Sequence, residues 1–304
     1  MRFAKGHGTQ NDFVVLFDPD GAHGLTSALV ARVCDRRAGL GGDGVLRVVR
    51  AAAVGEVAGS GPGGDHGAGA QWFMDYRNAD GSIAEMCGNG IRVFARYLAS
   101  HGLVTGPEFP VATRSGTRLV RLSDDGDVTV DMGPATVVGD GQATVGGQSY
   151  PGLAVSVGNP HLACLVEDGL ESFDLTAAPG LDPAQFPHGA NVELVQVTSA
   201  GSLTMRVHER GSGETQSCGT GAVAAAVAAD HAYGSGANGC MAEDSGADGS
   251  SADGSGGHSH DSRAWQVRVP GGRLRVVLGN GTTWLSGPAV IVAEGELAPA
   301  WLSE

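Results

Sequence analysis

The chain has a single lysine, Lys5; every other Lys/Arg position is arginine. Pyridoxal enzymes need a lysine for their Schiff base. Lys5 sits in a glycine-rich start rather than in a recognisable cofactor site, which argues against that chemistry. Positive charge is scarce overall: 19 Lys and Arg face 33 Asp and Glu, a formal net charge of −14. Nucleic acid is therefore not an expected partner. Part of the excess is local, because Glu243, Asp244, Asp248, Asp253 and Asp261 have no Lys or Arg among them. No apolar run reaches the ~18 residues of a membrane span, and the start, MRFAKGHGTQ, lacks a signal-peptide core. A cytoplasmic protein with no membrane partner is expected. The five cysteines are odd in number and lack the spacing of a disulfide framework, as suits reduced thiols. With 304 residues and 41% hydrophobic content, the chain can build two domains with a sizeable core.

What the chain does have is a segment written twice. In ERGSGETQSCGTGAVAAAVAA, Glu209 to Ala229, a turn flanked by Gly219 and Gly221 leads into an Ala/Val run, Ala222 to Ala229. That run is a good helix former with almost no polar face, so the helix belongs inside a domain. Cys218 stands at its mouth, where free N–H groups and the positive dipole end favour negative charge. A thiol there is expected to ionise more readily than a free one of pKa ~8.5, and the same N–H groups can hold a carboxylate. NADGSIAEMCGNGIRVFARYL, Asn78 to Leu98, repeats the plan with Cys87. Asn78 lies nine residues before Cys87 and Glu209 nine before Cys218. A strand-like run precedes each, Trp72 to Tyr76 and Leu203 to Val207. Further upstream, Gly8 to Asp12 precedes Phe13 to Phe17, as Gly158 to His161 precedes Leu162 to Val166. This is a duplication at domain scale rather than a solenoid period. If the halves face each other across a cleft, so do the thiols.

Between these blocks, Arg2 to Phe17 reads as two strands around a loop from Gly6 to Asp12, and Ser27 to Arg37 as a helix that Gly39 can stop. Gly39 to Gly44 matches GxGxxG but follows a helix and precedes the strand Val45 to Val49, the reverse of the dinucleotide-binding context. Ala53 to Ala70 reads as a surface loop. Val111 to Val130 holds antiparallel strands with turns at Ser115-Gly116 and Asp124 to Asp127. Gly133-Pro134 is a crossing into the second half, where strands follow at Leu153 to Val157, Leu162 to Val166 and Asn191 to Val197. The Gly/Ser/Asp-rich stretch from Tyr233 to Ser262 reads as a disordered insertion. Strands resume at Trp265 to Val269, Leu274 to Leu278 and Ala289 to Ala293.

Two acid–base thiols on opposite sides of a cleft suit a racemase or epimerase. One takes a proton from one face of a carbon while the other delivers a proton to the opposite face. Such general acid–base catalysis supplies ~10²–10⁴-fold. The remainder must come from fixed donors aimed at the charge developing on the carboxylate. A lone cysteine before a glycine turn is usually a packed small residue; the duplicated context overturns that for Cys87 and Cys218. Cys34 and Cys164 lie on apolar faces and read as core, and Cys240 as an idle thiol. His258 and His260 lack the fixed companions of a metal site, and none is expected. Arg92 and Arg96, four apart, read as a solvated or salt-bridged helix face.

The motifs GHGTQNDFVV, GLGGDGVL, NADGSIAEMCGNGIRVFARY, GNPHLA, GANVELVQV and ERGSGETQSCGTGAVAAA resemble those of the diaminopimelate epimerase family over nearly the whole chain. The resemblance implies an α+β fold of two pseudo-symmetric halves, each a curled, mostly antiparallel sheet around a central helix. It implies 1–131 with 284–304 as the half carrying Cys87, and 132–283 as the half carrying Cys218 and the insertion 233–262. It implies cofactor-free epimerisation of LL-2,6-diaminopimelate to the meso isomer, feeding lysine and cell-wall synthesis, by a homodimer. Cys87 and Cys218 would be the acid–base pair, with the first assigned to the LL isomer. Asn11, Asn78, Asn159, Asn191, Glu209 and Arg210 would contact substrate, as would the backbone at Gly88-Asn89 and Gly219-Thr220. Arg210 is the natural carboxylate clamp. His161 would lie near a catalytic thiol with Glu209 and help it ionise. Gly44 departs from the family pattern, standing where some relatives carry a polar side chain. The rivals are a proline or hydroxyproline racemase, which ERGSGET and the paired Asn positions argue against, a thiol-redox protein and a non-catalytic binding module.

Overall fold

The computed structural model describes residues 1–54, 69–167, 169–233 and 263–302. Apart from Tyr233, the insertion expected at 233–262 lies outside them, with Cys240, His258 and His260, as does most of the Ala53–Ala70 loop. In the first half, β1 (Arg2–Gly8) and β2 (Asn11–Phe17) form a hairpin. The expected loop from Gly6 to Asp12 shrinks to Thr9 and Gln10, because Gly8 already pairs with Asn11. Both turn residues are left-handed, with φ of 49° and 62°. That geometry matches the twist of the flanking strands. Helix α1 (Ser27–Cys34) starts where the Thr26 hydroxyl accepts the Leu29 N–H. It ends three residues before the expected Arg37, because Asp35 turns extended and its carboxylate accepts the N–H groups of Arg37 and Ala38. There follow β3 (Gly44–Arg50), α2 (Ala51–Val54), β4 (Trp72–Asn78), α3 (Gly88–Ser100), β5 (Glu108–Thr113), β6 (Gly116–Leu122) and β7 (Asp127–Gly133).

The second half holds β8 (Thr136–Val145), β9 (Gln148–Ser156), β10 (Pro160–Leu165), β11 (Gly180–Leu181), β12 (Asn191–Ser199), β13 (Ser202–Glu209) and β14 (Gly213–Thr215). Then come α4 (Gly219–Tyr233), β15 (Arg263–Val269), β16 (Gly272–Leu278), β17 (Thr283–Pro288), β18 (Val290–Glu296) and α5 (Pro299–Leu302). Strands β8 and β17 were not legible in the sequence. The first is glycine-interrupted and mostly exposed, so it has no sustained apolar face, and the second ends in Gly-Pro.

Pairing repeats strand for strand. β1–β2 is antiparallel, β2–β3 parallel, β3–β4 antiparallel, β4–β5 parallel, and β5–β6 and β6–β7 antiparallel. β9–β10, β10–β12, β12–β13, β13–β15, β15–β16 and β16–β17 follow the same sequence of senses. β18 closes on β1 as β8 closes on β9, and the antiparallel pair β7–β17 joins the halves. The fold is two pseudo-symmetric α+β halves, as expected from the resemblance.

Each sheet curls around one helix. α3 buries Ile91, Val93, Phe94, Ala95 and Leu98, and α4 buries almost every residue from Gly219 to Ala229. The expected solvated arginine face is half wrong. Arg96 reaches the Gly126 carbonyl near the surface, but Arg92 is 0% exposed. The β1–β2 turn and the end of β17 close over that side of α3, at Thr9 Oγ1 and the Pro288 carbonyl.

The hairpin turn of β1–β2 is pinned from the second half by Gly271, whose N–H donates to the Gln216 carbonyl at 2.8 Å. A methyl group at Gly271 would lie 1.9 Å from the Thr9 carbonyl oxygen. Gly271→Ala is expected to destabilise the fold by roughly 1–3 kcal/mol through overpacking, read as a lower thermal midpoint. A midpoint equal to the unsubstituted protein would show that this contact does not hold the seam.

Candidate active site

The two cysteines occupy matching places. Cys87 is the N-cap of α3: its backbone is extended (φ −140°, ψ 120°) and its sulfur accepts the Gly90 N–H at 3.3 Å. Cys218 precedes α4, its carbonyl accepting the Ala222 N–H and its sulfur the Gly221 N–H at 3.4 Å. The two helix starts abut. A methyl group on Gly88 would sit 3.3 Å from Gly219 Cα, and one on Gly219 3.1 Å from Gly88 Cα. Glycine at both positions eases that close approach, which brings both thiols to one cavity of about 1030 Å³.

The cavity also takes in Asn11, Asn78, Asn89, Asn159, Asn191, Glu209, Arg210 and Thr220. Asn11 uses both ends of its amide. Its Nδ2 donates to Asp43 at 2.7 Å, while its Oδ1 accepts from Asn89 Nδ2 at 3.2 Å and faces the Cys87 sulfur at 3.8 Å. Asp43 is held in turn by Arg36, which also grips Asp12. In the second half Asn159 Nδ2 donates to Thr220 Oγ1 at 3.4 Å, and Thr220 Oγ1 lies 3.5 Å from the Cys218 sulfur. Asn78 donates to Ser82 Oγ at 2.9 Å. Asn191 Oδ1 accepts the Arg210 backbone N–H at 2.9 Å, and the Arg210 guanidinium donates to the His188 carbonyl at 3.1 Å. Among the described residues Arg210 makes no ion pair. Glu209 Oε1 accepts from Thr215 at 2.5 Å, and its carboxylate acts electrostatically on Cys218.

His161 is buried and bridges Asn159 Oδ1 (Nε2, 3.0 Å) and Glu193 Oε1 (Nδ1, 2.7 Å). Glu193 was not singled out from the sequence. It is 0% exposed, and its Oε2 has no protein partner among the described residues. The signal was an acid inside an apolar strand, which the duplication sharpens. His161 pairs with Asn191, and Ala163 with Glu193, as Phe13 pairs with Gly44 and Val15 with Leu46. His161 and Glu193 thus stand where the first half has the core residues Phe13 and Leu46. The oxygen of Glu193 and the methyl of Leu46 even occupy like positions, against Gly221 and Gly90 respectively.

The expected lowering of the thiol pKa at the helix mouths is corrected here. Burial pushes Cys87 up to about 11, and the nearby Glu209 adds to it, against the Gly90 and Asn89 N–H groups and Arg92. Cys218 goes well above the ordinary thiol value, through burial first and then Glu209 and Glu193. Helix-end partial charge does not offset loss of water plus two carboxylates. Burial also raises Glu209 and the Tyr76 phenol, which faces both thiols, Glu209 and Asp43.

The diaminopimelate epimerase family model matches residues 3–138 and 153–245. A diaminopimelate epimerase of Thermobifida fusca is 53% identical over 300 residues, covering 98% of each chain. One from Mycolicibacterium smegmatis is 49% identical, covering 99% of this chain and 98% of its own. This chain belongs to the diaminopimelate epimerase family. Among solved structures, a Bacillus anthracis phenazine biosynthesis protein of the PhzF family superposes with a TM-score of 0.64 at 14% identity, covering 98% and 99% of the two chains. A hydroxyproline epimerase from Agrobacterium vitis, solved with trans-4-hydroxy-L-proline bound, gives 0.60 at 16%, covering 97% and 91%. These two share the fold. Gly44 is closely packed: a methyl group there would meet the Arg77 carbonyl at 2.5 Å and the Tyr76 ring at 2.8 Å, and the Tyr76 side chain lines the cavity.

Because the free thiols are held neutral, alkylation by iodoacetamide at pH 7 is expected to be slower at Cys87 and Cys218 than for an ordinary thiol of pKa ~8.5, rising with pH toward 11 at Cys87. Glu209→Gln removes a negative charge beside both sulfurs, so it favours the thiolates and speeds alkylation at pH 8. Peptide mapping of the modified residues checks this; an unchanged or slower rate in Glu209→Gln would contradict the assigned electrostatics.

Proposed function

We propose that this family member converts LL-2,6-diaminopimelate to the meso isomer, with Cys87 and Cys218 as the two acid–base groups and no cofactor. The observation that carries the reading is the abutment of two cysteine-capped helices in one cavity. One sulfur, as thiolate, removes the α-hydrogen as a proton from one face of the carbon. The electron pair left on that carbon spreads into the adjacent carboxylate. The other thiol gives its proton to the opposite face, so configuration inverts and the two sulfurs end with exchanged protonation states. The reverse reaction uses the same pair in swapped roles.

Developing charge on the carboxylate needs donors fixed in advance. The backbone N–H groups at Gly88-Asn89 and Gly219-Thr220 are assigned to that, one set from each half. Asn11, Asn78 and Asn159 are assigned to substrate amino and carboxylate groups, and Asn191 to holding Arg210. Arg210, which pairs with no carboxylate among the described residues, is assigned to the distal carboxylate; a guanidinium makes two parallel bonds to such a group. Glu209 and His161 are assigned to adjusting proton transfer at Cys218. The high thiol pKa values are consistent with a thiolate formed only as the site fills. The substrate's ammonium groups then supply positive charge in a site that has closed out water. We further read the halves as 1–131 with 284–304 and 132–283, and the active form as a cytoplasmic homodimer.

Incubation of the reduced protein with LL-diaminopimelate in D₂O, without added cofactor or metal, is expected to place deuterium at one α-carbon as the meso isomer appears in the NMR spectrum. Cys87→Ala and Cys218→Ala are each expected to abolish turnover, a loss of at least about 10³-fold given what paired acid–base groups supply. Exchange at an undiminished rate in either variant would move the chemistry to other residues. Wild-type protein with free thiols and tight binding but no exchange would favour a binding module.

A further inference from the structure

Arg92 is the largest fully buried side chain in the described structure, at 0% exposure. A buried cation is ordinarily paired with a carboxylate, because desolvating an unpaired charge is expensive. Among the described residues Arg92 has no such partner. Its three nitrogens donate only to neutral oxygens: Nη1 to the Gly88 carbonyl at 3.1 Å, Nη2 to Thr9 Oγ1 at 3.2 Å, and Nε to the Pro288 carbonyl at 3.5 Å. Burial lowers its pKa to about 10, which still leaves it charged at neutral pH.

Each of those oxygens lies at a joint of the site. Gly88 is the residue after Cys87 and touches Gly219. Thr9 belongs to the left-handed turn before Asn11, and its hydroxyl donates to Ser217 Oγ at 2.7 Å, one residue before Cys218. Pro288 ends β17, the strand that joins the halves. One side chain therefore reaches both cysteine segments, directly at Cys87 and through Thr9 and Ser217 at Cys218.

The pseudo-symmetry gives an internal control. Arg92 lies five residues after Cys87, and the residue five after Cys218 is Val223, equally buried. The fold does not require an arginine there. The ionisable groups acting on Arg92 are Cys87 and Asp127 of β7, and no other side chain on the strands packed against α3 adds to them. The Cys87 sulfur is faced by Glu209 of β13, Tyr76 of β4 and Arg92. Arg92 is thus the fixed cation on the Cys87 side, while the Cys218 side has the carboxyl group of Glu193 in the place of Leu46.

We propose that Arg92 is a positioning residue for the two-thiol reaction: it sets the register of the two cysteine segments across the seam and provides the buried positive charge behind the Cys87 thiolate. This rests on Cys87 and Cys218 being the acid–base pair.

The test is the pH dependence of kcat and kcat/KM for diaminopimelate epimerisation in Arg92→Gln, Arg92→Lys and Thr9→Val, with Cys87→Ala alongside. Removing the charge raises the energy of the thiolate, so the acid limb of the Arg92→Gln profile moves to higher pH by on the order of one unit, and kcat at pH 7.5 falls by more than about tenfold. Arg92→Lys restores the limb but not kcat, because one ammonium cannot serve three spread acceptors. Thr9→Val keeps the charge and cuts the link to Ser217: kcat falls roughly tenfold with the limb unmoved. That arm and Arg92→Lys decide the matter if Arg92→Gln does not fold. Folded Arg92→Gln with an unmoved limb, or Thr9→Val with full kcat, overturns the proposal, and a limb moved by Arg92→Lys as far as by Arg92→Gln overturns its charge component. Turnover surviving in Cys87→Ala would instead bring down the two-thiol reading on which the proposal stands.

Discussion

The structure depends on one close approach: the meeting of Gly88 and Gly219, where the first turns of α3 and α4 touch without side chains between them. Because the contact is backbone to backbone, it sets how near the two helix starts stand and therefore how near their capping cysteines can be. Leu285 of the joining strand leans on both glycines, its Cδ2 3.0 Å from where either methyl group would be. The β7–β17 pair that unites the sheets is thus also the wall behind the contact. Each sheet curls around its own helix, but the two helices are indexed to each other at a single point, and the cavity opens from that point.

Bringing two thiols to such a place has an electrostatic consequence. Two helix N-termini would by themselves favour anions, and each sulfur does accept an amide N–H. Yet the enclosure that brings the thiols together removes the water that would stabilise a thiolate, and Glu209 stands near both. Burial wins over the helix ends, so the resting site keeps its protons. For the proposed reaction, in which one sulfur is charged and the other neutral, a site that resists ionisation until its cationic substrate arrives avoids holding a reactive thiolate in the empty enzyme.

Much of this was legible in the sequence because duplication supplies its own alignment. The Cys-Gly-x-Gly turns, the nine-residue offsets to Asn78 and Glu209, and the apolar helices mark both cysteine segments and the existence of two halves in the sequence itself. What was not legible depends on long-range closure. Strand β8 carries too many glycines and too much exposed surface to show a period, and it exists because β9 offers it an edge. The turn at Thr9-Gln10 carries no glycine, so its tightness came from pairing that local propensity does not encode. Arg92 was misread for a related reason. Its spacing from Arg96 is that of a surface pair, and only the arrival of Thr9 and Pro288 from remote parts of the chain makes its position an interior one. The thiol pKa values were misjudged because a helix end can be seen in sequence whereas its enclosure cannot.

The same duplication shows where the halves have diverged, and three of the differences lie behind the cysteines. Phe13 and Leu46 in one half answer to His161 and Glu193 in the other, and Arg92 answers to Val223. Every exchange replaces an apolar core residue with a charged or titratable one behind a cysteine, and the signs are opposite: a cation near Cys87, an acid held by a histidine near Cys218. Burying polar groups where hydrocarbon would pack as well is destabilising, so these residues are not there to hold the fold. The proposed reaction needs its two sulfurs to be unequal at every moment, and a strictly symmetric site would leave that inequality to the substrate alone. The charges built into the two halves make the sulfurs unequal beforehand, while the shared backbone keeps them equally placed.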